Sequence, residues 1–430
     1  PLAGGAVERP SEPVPLTLSR ALAIAREQSE VSAIAAARLE RAEAARRFAV
    51  SQLVPGLSFS GVYTRRSREV TRQVGDDEVT VQTRDALNGT LALDSVLFDA
   101  RSIPGIRAAN RSLEAQRFES AELERGLEYD VSTTFLAVLS AERLQQAADR
   151  RVEVAARTVE DARIRLDAGL AARNELTRSQ LELASARLAE TQAQALVRNA
   201  RLALGLLLAM PVDGPLAEPE PFADPGTALA ALVARAEANS GELKGMAERV
   251  EAARQRALAP ALGFVPTLDG RAVYRGTNEA GLSGRERDWS VALTLGWSIF
   301  DGGARRAERA IAESEWREAG LQLAQRRREV AAAVEGALSD LGTARAALAQ
   351  AEAQAEVARQ NAEEVGERFA QGLASGLEQA DALVARFEAE AELARQGFAL
   401  HVSQLALLRA LGESPLSPGP SETPFPETAP

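Results

Sequence analysis

Three segments of this 430-residue chain occur twice, in the same order. "LVPGLSFSGVY" (Leu53–Tyr63) returns as "FVPTLDGRAVY" (Phe264–Tyr274), "LALDSVLFDA" (Leu91–Ala100) as "LTLGWSIFDG" (Leu293–Gly302), and "RLDAGLA" (Arg165–Ala171) as "RFAQGLA" (Arg368–Ala374). Each copy stands about 200 residues after the first, the mark of a duplicated structural unit. Whatever fold one half adopts, the other must adopt again. Only the stretch between the first two motifs changes length appreciably, so it is expected to be a tolerant surface loop.

Each half reads helix, strand, loop, strand, helix, tight turn, helix. In the first, a helix from about Leu16 to Ser51 ends before Pro55, and strands at Leu57–Arg66 and Asn88–Phe98 flank the polar loop "SREVTRQVGDDEVTVQTR". One helical run from Ser102 to Asp167 has only Pro104 as a breaker, in its first turn, where proline is tolerated. After Gly169 a helix from Asn174 to Met210 ends at Pro211. The expected boundaries are a Pro-rich disordered start over 1–15, a first repeat over 16–211, a linker over 212–226, a second repeat over 227–412 and a Pro-rich disordered tail over 413–430. Sixty-odd helical residues reach about 100 Å at about 1.5 Å each, nearly the sum of two flanking helices of about 35 residues. Two short helices stacked end to end would therefore run beside each long one.

The composition fits slim helices: 46% of residues are hydrophobic but only 4% aromatic, with much alanine, the best helix former. Along the first long helix Leu144, Ala148, Val152, Ala155, Val159, Ala162 and Leu166 step by fours and threes, the seam of a coiled coil. Their repeat counterparts, Ala347, Ala351, Ala355, Ala358, Ala362, Val365 and Phe369, are apolar again. A net charge of -11 argues against a nucleic-acid partner. There are no cysteines, which removes disulfides and thiolate chemistry. No apolar run approaches the roughly 18 residues of a membrane-spanning helix, so a bilayer would have to be crossed by strands. The sequence starts at Pro1, with no initiator methionine and no basic, apolar signal segment in it, and is expected to be a mature, processed form.

The strands pose a problem. In "VALTLGWSIFDGG", Val291, Leu293, Leu295, Trp297 and Ile299 alternate with small or polar residues, the pattern of a two-faced strand. Leu268, Gly270, Ala272 and Tyr274 share one face, with Asp269, Arg271, Val273 and Arg275 on the other. The Leu91–Phe98 strand is less clean, because Asp94 falls in step with Val96 and Phe98. Four such strands cannot close a barrel or stand as an open sheet with an apolar side in water. Either the sheet packs on a helix, or several copies pool their hairpins; three chains would give twelve strands, enough to enclose a lumen.

The two-fold repeat, the Val-Pro lead into each half's first strand, the "IFDGG" exit from the last strand and the "GLA" turn between helices resemble the TolC-type outer membrane efflux proteins over residues 16–412. The resemblance implies a mainly α fold with β. Long antiparallel helices would form a periplasmic α-barrel, and four strands per chain a twelve-stranded trimeric transmembrane β-barrel. It implies a homotrimer in the cell outer membrane, with a periplasmic adaptor and an inner-membrane pump as partners. The duct would be the passive outer membrane channel of a tripartite efflux or type I secretion system, without cofactor or enzymatic activity. Val291, Leu293, Leu295, Trp297 and Ile299 would face outer membrane lipid, and Asp301, Gly302 and Gly303 would turn the chain into the periplasmic helix.

Candidate functional residues lie near the helical turns. Glu378 and Asp381 are three apart on a helix and share a face; by themselves they read as the solvated face of an acidic protein. The resemblance matches them to the acidic pair of a periplasmic pore constriction, where rings of acids select cations. Glu175, the first-half counterpart of Glu378, matches a residue that latches neighbouring helices. Its expected partners are replaced here by Phe369 and Ala374, with Arg368 or Arg173 as substitutes. The turns at Gly169, Leu170, Ala171 and at Gly372, Leu373, Ala374 correspond to adaptor-docking tips, and the glycines suit plain helix caps as well. His401, the sole histidine, reads as a packed or half-exposed side chain. No nucleophile elbow, phosphate loop or metal-spaced cluster is present. The rivals are a soluble coiled-coil scaffold and a family member dedicated to metal-ion export.

Overall fold

The computed structural model describes residues 15–75, 77–170, 172–222, 226–279 and 285–415. The expected tails over 1–15 and 413–430 therefore fall almost wholly outside the described residues. In chain order the elements are α1 (Leu18–Gln28), α2 (Glu30–Ser51), β1 (Gly56–Arg65), β2 (Val70–Val74), β3 (Asp77–Gln82), β4 (Asp85–Phe98), α3 (Ser102–Asp167) and α4 (Arg173–Leu208). The second half follows with α5 (Leu229–Asn239), α6 (Gly241–Leu262), β5 (Thr267–Thr277), β6 (Arg287–Gly296), α7 (Ala304–Ala370) and α8 (Gly376–Ala410).

Two expectations need correction at once. The first helix of each half is broken, at Ser29 and at Ser240, both buried and with extended ψ angles of 136° and 112°. At Ser29 the backbone N–H closes α1 on Ala25 while Oγ accepts from the Val31 N–H at 3.2 Å, so one serine ends a helix and starts the next. The polar loop of the first half is not structureless either, since it holds the β2–β3 hairpin. β-branched Val70, Thr71, Thr80 and Val81 favour pairing there. Glu279 ties the hairpin's base by accepting from the Thr83 N–H at 2.7 Å and from Arg66.

The chain forms two compact units, each drawing on both halves of the sequence. One comprises the described residues up to Ala36, Ser120–Gly241 and those from Arg326 on; the other comprises Ala37–Glu119 and Glu242–Gln325. In the first, Leu22, Val131, Phe135, Leu204, Leu208 and Leu405 are almost fully buried in a core joining α1, α3, α4 and α8. The linker is part of this packing: Leu16 pairs in parallel with Leu216, and Val212 and Phe222 are buried. The coiled-coil seam is present. Ala148, Ala155 and Ala162 are buried in α3, as are Ala351, Ala355, Ala362 and Phe369 in α7. On α4, Ser179, Ala186 and Ala193 are buried at seven-residue spacing, where small side chains allow close helix approach. His401 is half-buried, its ring 6.1 Å edge-on from Phe222, and burial lowers its pKa.

The second unit holds an antiparallel sheet in the order β1-β4-β5-β6. Directly opposed residues project to the same face, so the register sorts the side chains. Phe59 opposes Leu91, Leu91 opposes Tyr274 and Tyr274 opposes Trp289; Leu57 opposes Leu93, Leu93 opposes Ala272 and Ala272 opposes Val291. With Leu268 and Leu295 these make one continuous apolar face. Ser58, Ser60, Thr90, Asp94, Asp269, Arg271, Arg275, Ser290 and Thr294 lie on the other, interspersed with Val62, Val273 and alanines. A bulge between Val96 and Phe98 resolves the irregular strand. The extra residue returns Phe98 to the apolar side, opposite Leu268, while Asp94 stays on the polar side 3.4 Å from Arg271.

β6 is shorter than expected. Its last ladder pair joins Gly296 to Thr267, and the residue before Thr267 is Pro266, which has no N–H to extend the ladder. Trp297 and Ile299 therefore lie beyond the strand, exposed, with the Trp297 indole donating to the Phe264 carbonyl at 3.1 Å.

Candidate functional site

Two features stand out, and each belongs to one unit. The first is the sheet. Its strands arrive from α2 and α6 and depart into α3 and α7 at one end, with the loops at the other. The departures are built alike. The Asp301 carboxylate accepts from the Gly303 and Arg305 N–H groups, both at 3.0 Å, and so caps α7; Asp99 accepts from the Arg101 N–H at 2.9 Å just before α3. Backbone N–H donors and the Arg305 guanidinium hold the Asp301 carboxyl below its ordinary range. Gly302 and Gly303, at φ 71° and 95°, make a turn that Ala100 in the first half does not copy. Arg305 adds bonds to the carbonyls of Gly263 and Ser298, both at 2.7 Å, and lies over the Phe264 ring.

The strands are staggered. At the loop end β6 begins at Arg287, in line through Gly276 with Gly89 of β4, whereas β1 runs four residues further, to Arg65 opposite Asp85. At about 3.3 Å per residue and about 4.8 Å per strand, the sheet's end is inclined by about 40° to the hydrogen-bond rows. The far ends step in the same sense, β1 starting opposite Asp94 while β5 still pairs at Phe98. Transmembrane barrels tilt their strands by about 35–45°. The apolar side chains of β6, Val291, Leu293 and Leu295, are 65–69% exposed in the single chain. No described helix is long and apolar enough to cross a membrane.

The second feature is the pair of helical turns. Both close in the same way: Leu170 N–H reaches Arg165 O at 2.8 Å and Leu373 N–H reaches Arg368 O at 2.7 Å, with Gly169 and Gly372 at φ 74° and 76°. Leu170 and Leu373 stand 80% and 66% exposed. Ala171 lies outside the described residues. Ala374 directly precedes Ser375, the N-cap of α8.

Around these turns the expected acids have distinct places. Glu378 forms a capping box, accepting from the Ser375 N–H at 2.7 Å while its own N–H donates to Ser375 Oγ at 3.3 Å. Those Ser375 donors, the backbone N–H first, lower the Glu378 pKa. The signature S-x-x-E is visible in "SGLE". Asp381 is exposed one turn on. Glu175 packs on the buried Gly376, where an added Cβ would meet its Cγ at 2.9 Å, so the first turns of α4 and α8 touch. Among the described residues neither Arg368 nor Arg173 pairs with Glu175, and the Arg368 charge helps to lower the Glu378 pKa instead. A different contact joins the ends of α3 and α7: the Arg165 guanidinium stacks on the Phe369 ring and donates to the Phe369 carbonyl at 2.6 Å. Farther along, Arg151 pairs with the half-buried Glu182 and covers the Phe387 ring.

Known proteins share this architecture. The outer membrane protein VceC from Vibrio cholerae superposes with a TM-score of 0.76 at 18% identity, covering 92% of this chain and 96% of that one. The Campylobacter jejuni CmeC outer membrane channel gives 0.78 at 14% identity, with 95% and 90% covered. Protein CyaE of Bordetella pertussis is 32% identical over 265 residues, which span 58% of this chain and only 54% of that relative. The family described as outer membrane efflux protein matches residues 22–209 and 232–413, one block in each half. With nearly the whole described chain covered, the protein belongs to the outer membrane efflux protein family.

Proposed function

We propose that this chain is one subunit of a passive exit duct, in which three copies pool their sheets into a twelve-stranded barrel across the outer membrane and their helices into a periplasmic α-barrel. The observation that carries the reading is the apolar face continuous across β1, β4, β5 and β6, on a sheet whose edge strands β1 and β6 have one ladder partner each among the described residues. Lipid would cover that face and neighbouring copies the edges. α4 supports self-association, since Leu181, Leu188, Leu202 and Leu206 are 60–79% exposed in the single chain. The repeats, 16–211 and 227–412, would be the two quasi-equivalent parts of each subunit's share.

In this reading the exposed leucines of the helical turns, with Gly169, Gly372 and Ala374 beside them, form the docking tips for a periplasmic adaptor serving an inner-membrane pump. Glu378 and Asp381, with Glu175 behind them, would ring the periplasmic constriction. The capping box favours that role by keeping the Glu378 carboxylate ionised. The decisive experiment is extraction and reconstitution. The reading expects detergent-extracted, heat-dissociable trimers that conduct ions in planar bilayers, with weaker cation selectivity in a Glu378→Ala, Asp381→Ala double variant. A monomer that stays in the aqueous phase without detergent overturns the duct, and unaltered selectivity in the variant overturns the constriction.

A further inference from the structure

We infer that the loop-side rim of the apolar sheet face binds the anionic phosphate head groups of membrane lipids through Arg65 and Arg287. The inference rests on that face being turned to lipid, as proposed above. Arg65 ends β1 and Arg287 begins β6. By register both project from the apolar face, Arg65 two positions beyond Tyr63 and Arg287 two positions before Trp289. The four-residue stagger between the edge strands carries both arginines to one level of a tilted sheet, each just outside an aromatic ring. Aromatic residues mark the membrane–water boundary, and arginine beyond them meets the phosphates.

Their surroundings leave both cations accessible. Arg287 is exposed, and its cross-strand neighbour is Gly276, which carries no charge. Arg65 has Asp85 opposite at 3.8 Å, with side-chain exposures of 63% and 51%. An exposed pair at that distance binds weakly, and the same Asp85 oxygen already accepts from the Tyr63 hydroxyl at 2.7 Å. A guanidinium offers a fork of donors that fits phosphate oxygens two at a time. Arg275 lies at a similar height on the polar face, opposite Asp288, and supplies a control for charge without lipid contact.

The test compares heat dissociation of the purified full-length protein in neutral detergent micelles, alone or doped with phosphatidylglycerol or with zwitterionic phosphatidylcholine. Phosphatidylglycerol is expected to raise the midpoint by several degrees more than phosphatidylcholine. The Arg65→Gln, Arg287→Gln double variant should lose most of that difference, and Arg275→Gln should keep it. Equal effects of the two lipids on the wild type, or retention of the difference by the double variant, overturns the proposal, as does the same shift from millimolar inorganic phosphate alone. Flotation with phosphatidylcholine vesicles separates the two levels. Protein that floats without an anionic preference removes only the rim site, whereas protein that does not float removes the lipid-facing reading beneath it.

Discussion

The Arg165 guanidinium lies 4.1 Å from the centre of the Phe369 ring and donates to the Phe369 carbonyl, tying the end of α3 to the end of α7. Phe369 is 2% exposed, so this contact is shielded from water, and cation–π pairs there reach about 2 kcal/mol. Arg165→Ala should loosen both helix ends while leaving the sheet intact. Faster amide exchange over residues 160–170 and 366–376, with unchanged exchange in β4 and β5, is the expected result. A double-mutant cycle with Phe369→Leu should give a coupling of about 0.5–2 kcal/mol. Additive effects would show that the two side chains act separately.

The capping box predicts a pH response confined to the α8 start. The Glu378 pKa is lowered in the folded protein, so its stabilising contribution is present above the ordinary glutamate range and is lost as pH falls through the lowered folded value. Ser375→Ala removes an N-cap and should cost about 0.5–2 kcal/mol locally. It should also return the Glu378 pKa toward its ordinary range. Carboxylate NMR titration of wild type and variant reads both effects, and an unchanged Glu378 titration in Ser375→Ala would rule out the cap as cause.

Facing predicts opposite outcomes for neighbouring residues of β6. Leu295 opposes Leu268 on the apolar face, and Thr294 opposes Asp269 on the polar face. A charge on a lipid-facing strand position costs about 2–4 kcal/mol near the bilayer midplane and much less near its edge. Leu295→Arg is therefore expected to reduce folded, heat-dissociable oligomer in membranes, while Thr294→Arg assembles normally. Equal yields of the two would reverse or abolish the facing.

The parts of this fold that repeat in sequence were legible in it: paired strands after each Val-Pro, the small-residue seam of α3 and α7, and turn glycines at Gly169 and Gly372. What escaped depends on contacts rather than on pattern. The break at Ser29 has neither proline nor glycine to announce it; it shows only once buried Ser29 is seen bonding to Val31. The Val96–Phe98 bulge is invisible to strict alternation, which is why Asp94 seemed to share a face with Phe98. Arg165 belongs to a motif visible in the chain, but its partner is about 200 residues away and its bond is to a backbone carbonyl. The Ser375–Glu378 box lies in the local S-x-x-E spacing, but the resemblance directs attention to Glu378 as a pore acid rather than as a cap.

Two glycines in α7 and its turn separate backbone strain from packing. An added Cβ meets nothing within 4 Å at either Gly366 or Gly372, so neither substitution to alanine creates a clash in the single chain. Gly372 sits at φ 76°, where an L-residue is strained, whereas Gly366 lies inside helix α7. Gly372→Ala should therefore destabilise the turn by about 1–2 kcal/mol. Gly366→Ala should stabilise the helix by about 0.5–1 kcal/mol, because alanine loses less backbone entropy on folding. Amide exchange of Leu373, whose N–H closes the turn on Arg368, should quicken in the first variant and slow or hold in the second. The same sign in both variants would mean that neighbouring copies, rather than the local backbone, set the stability of this segment.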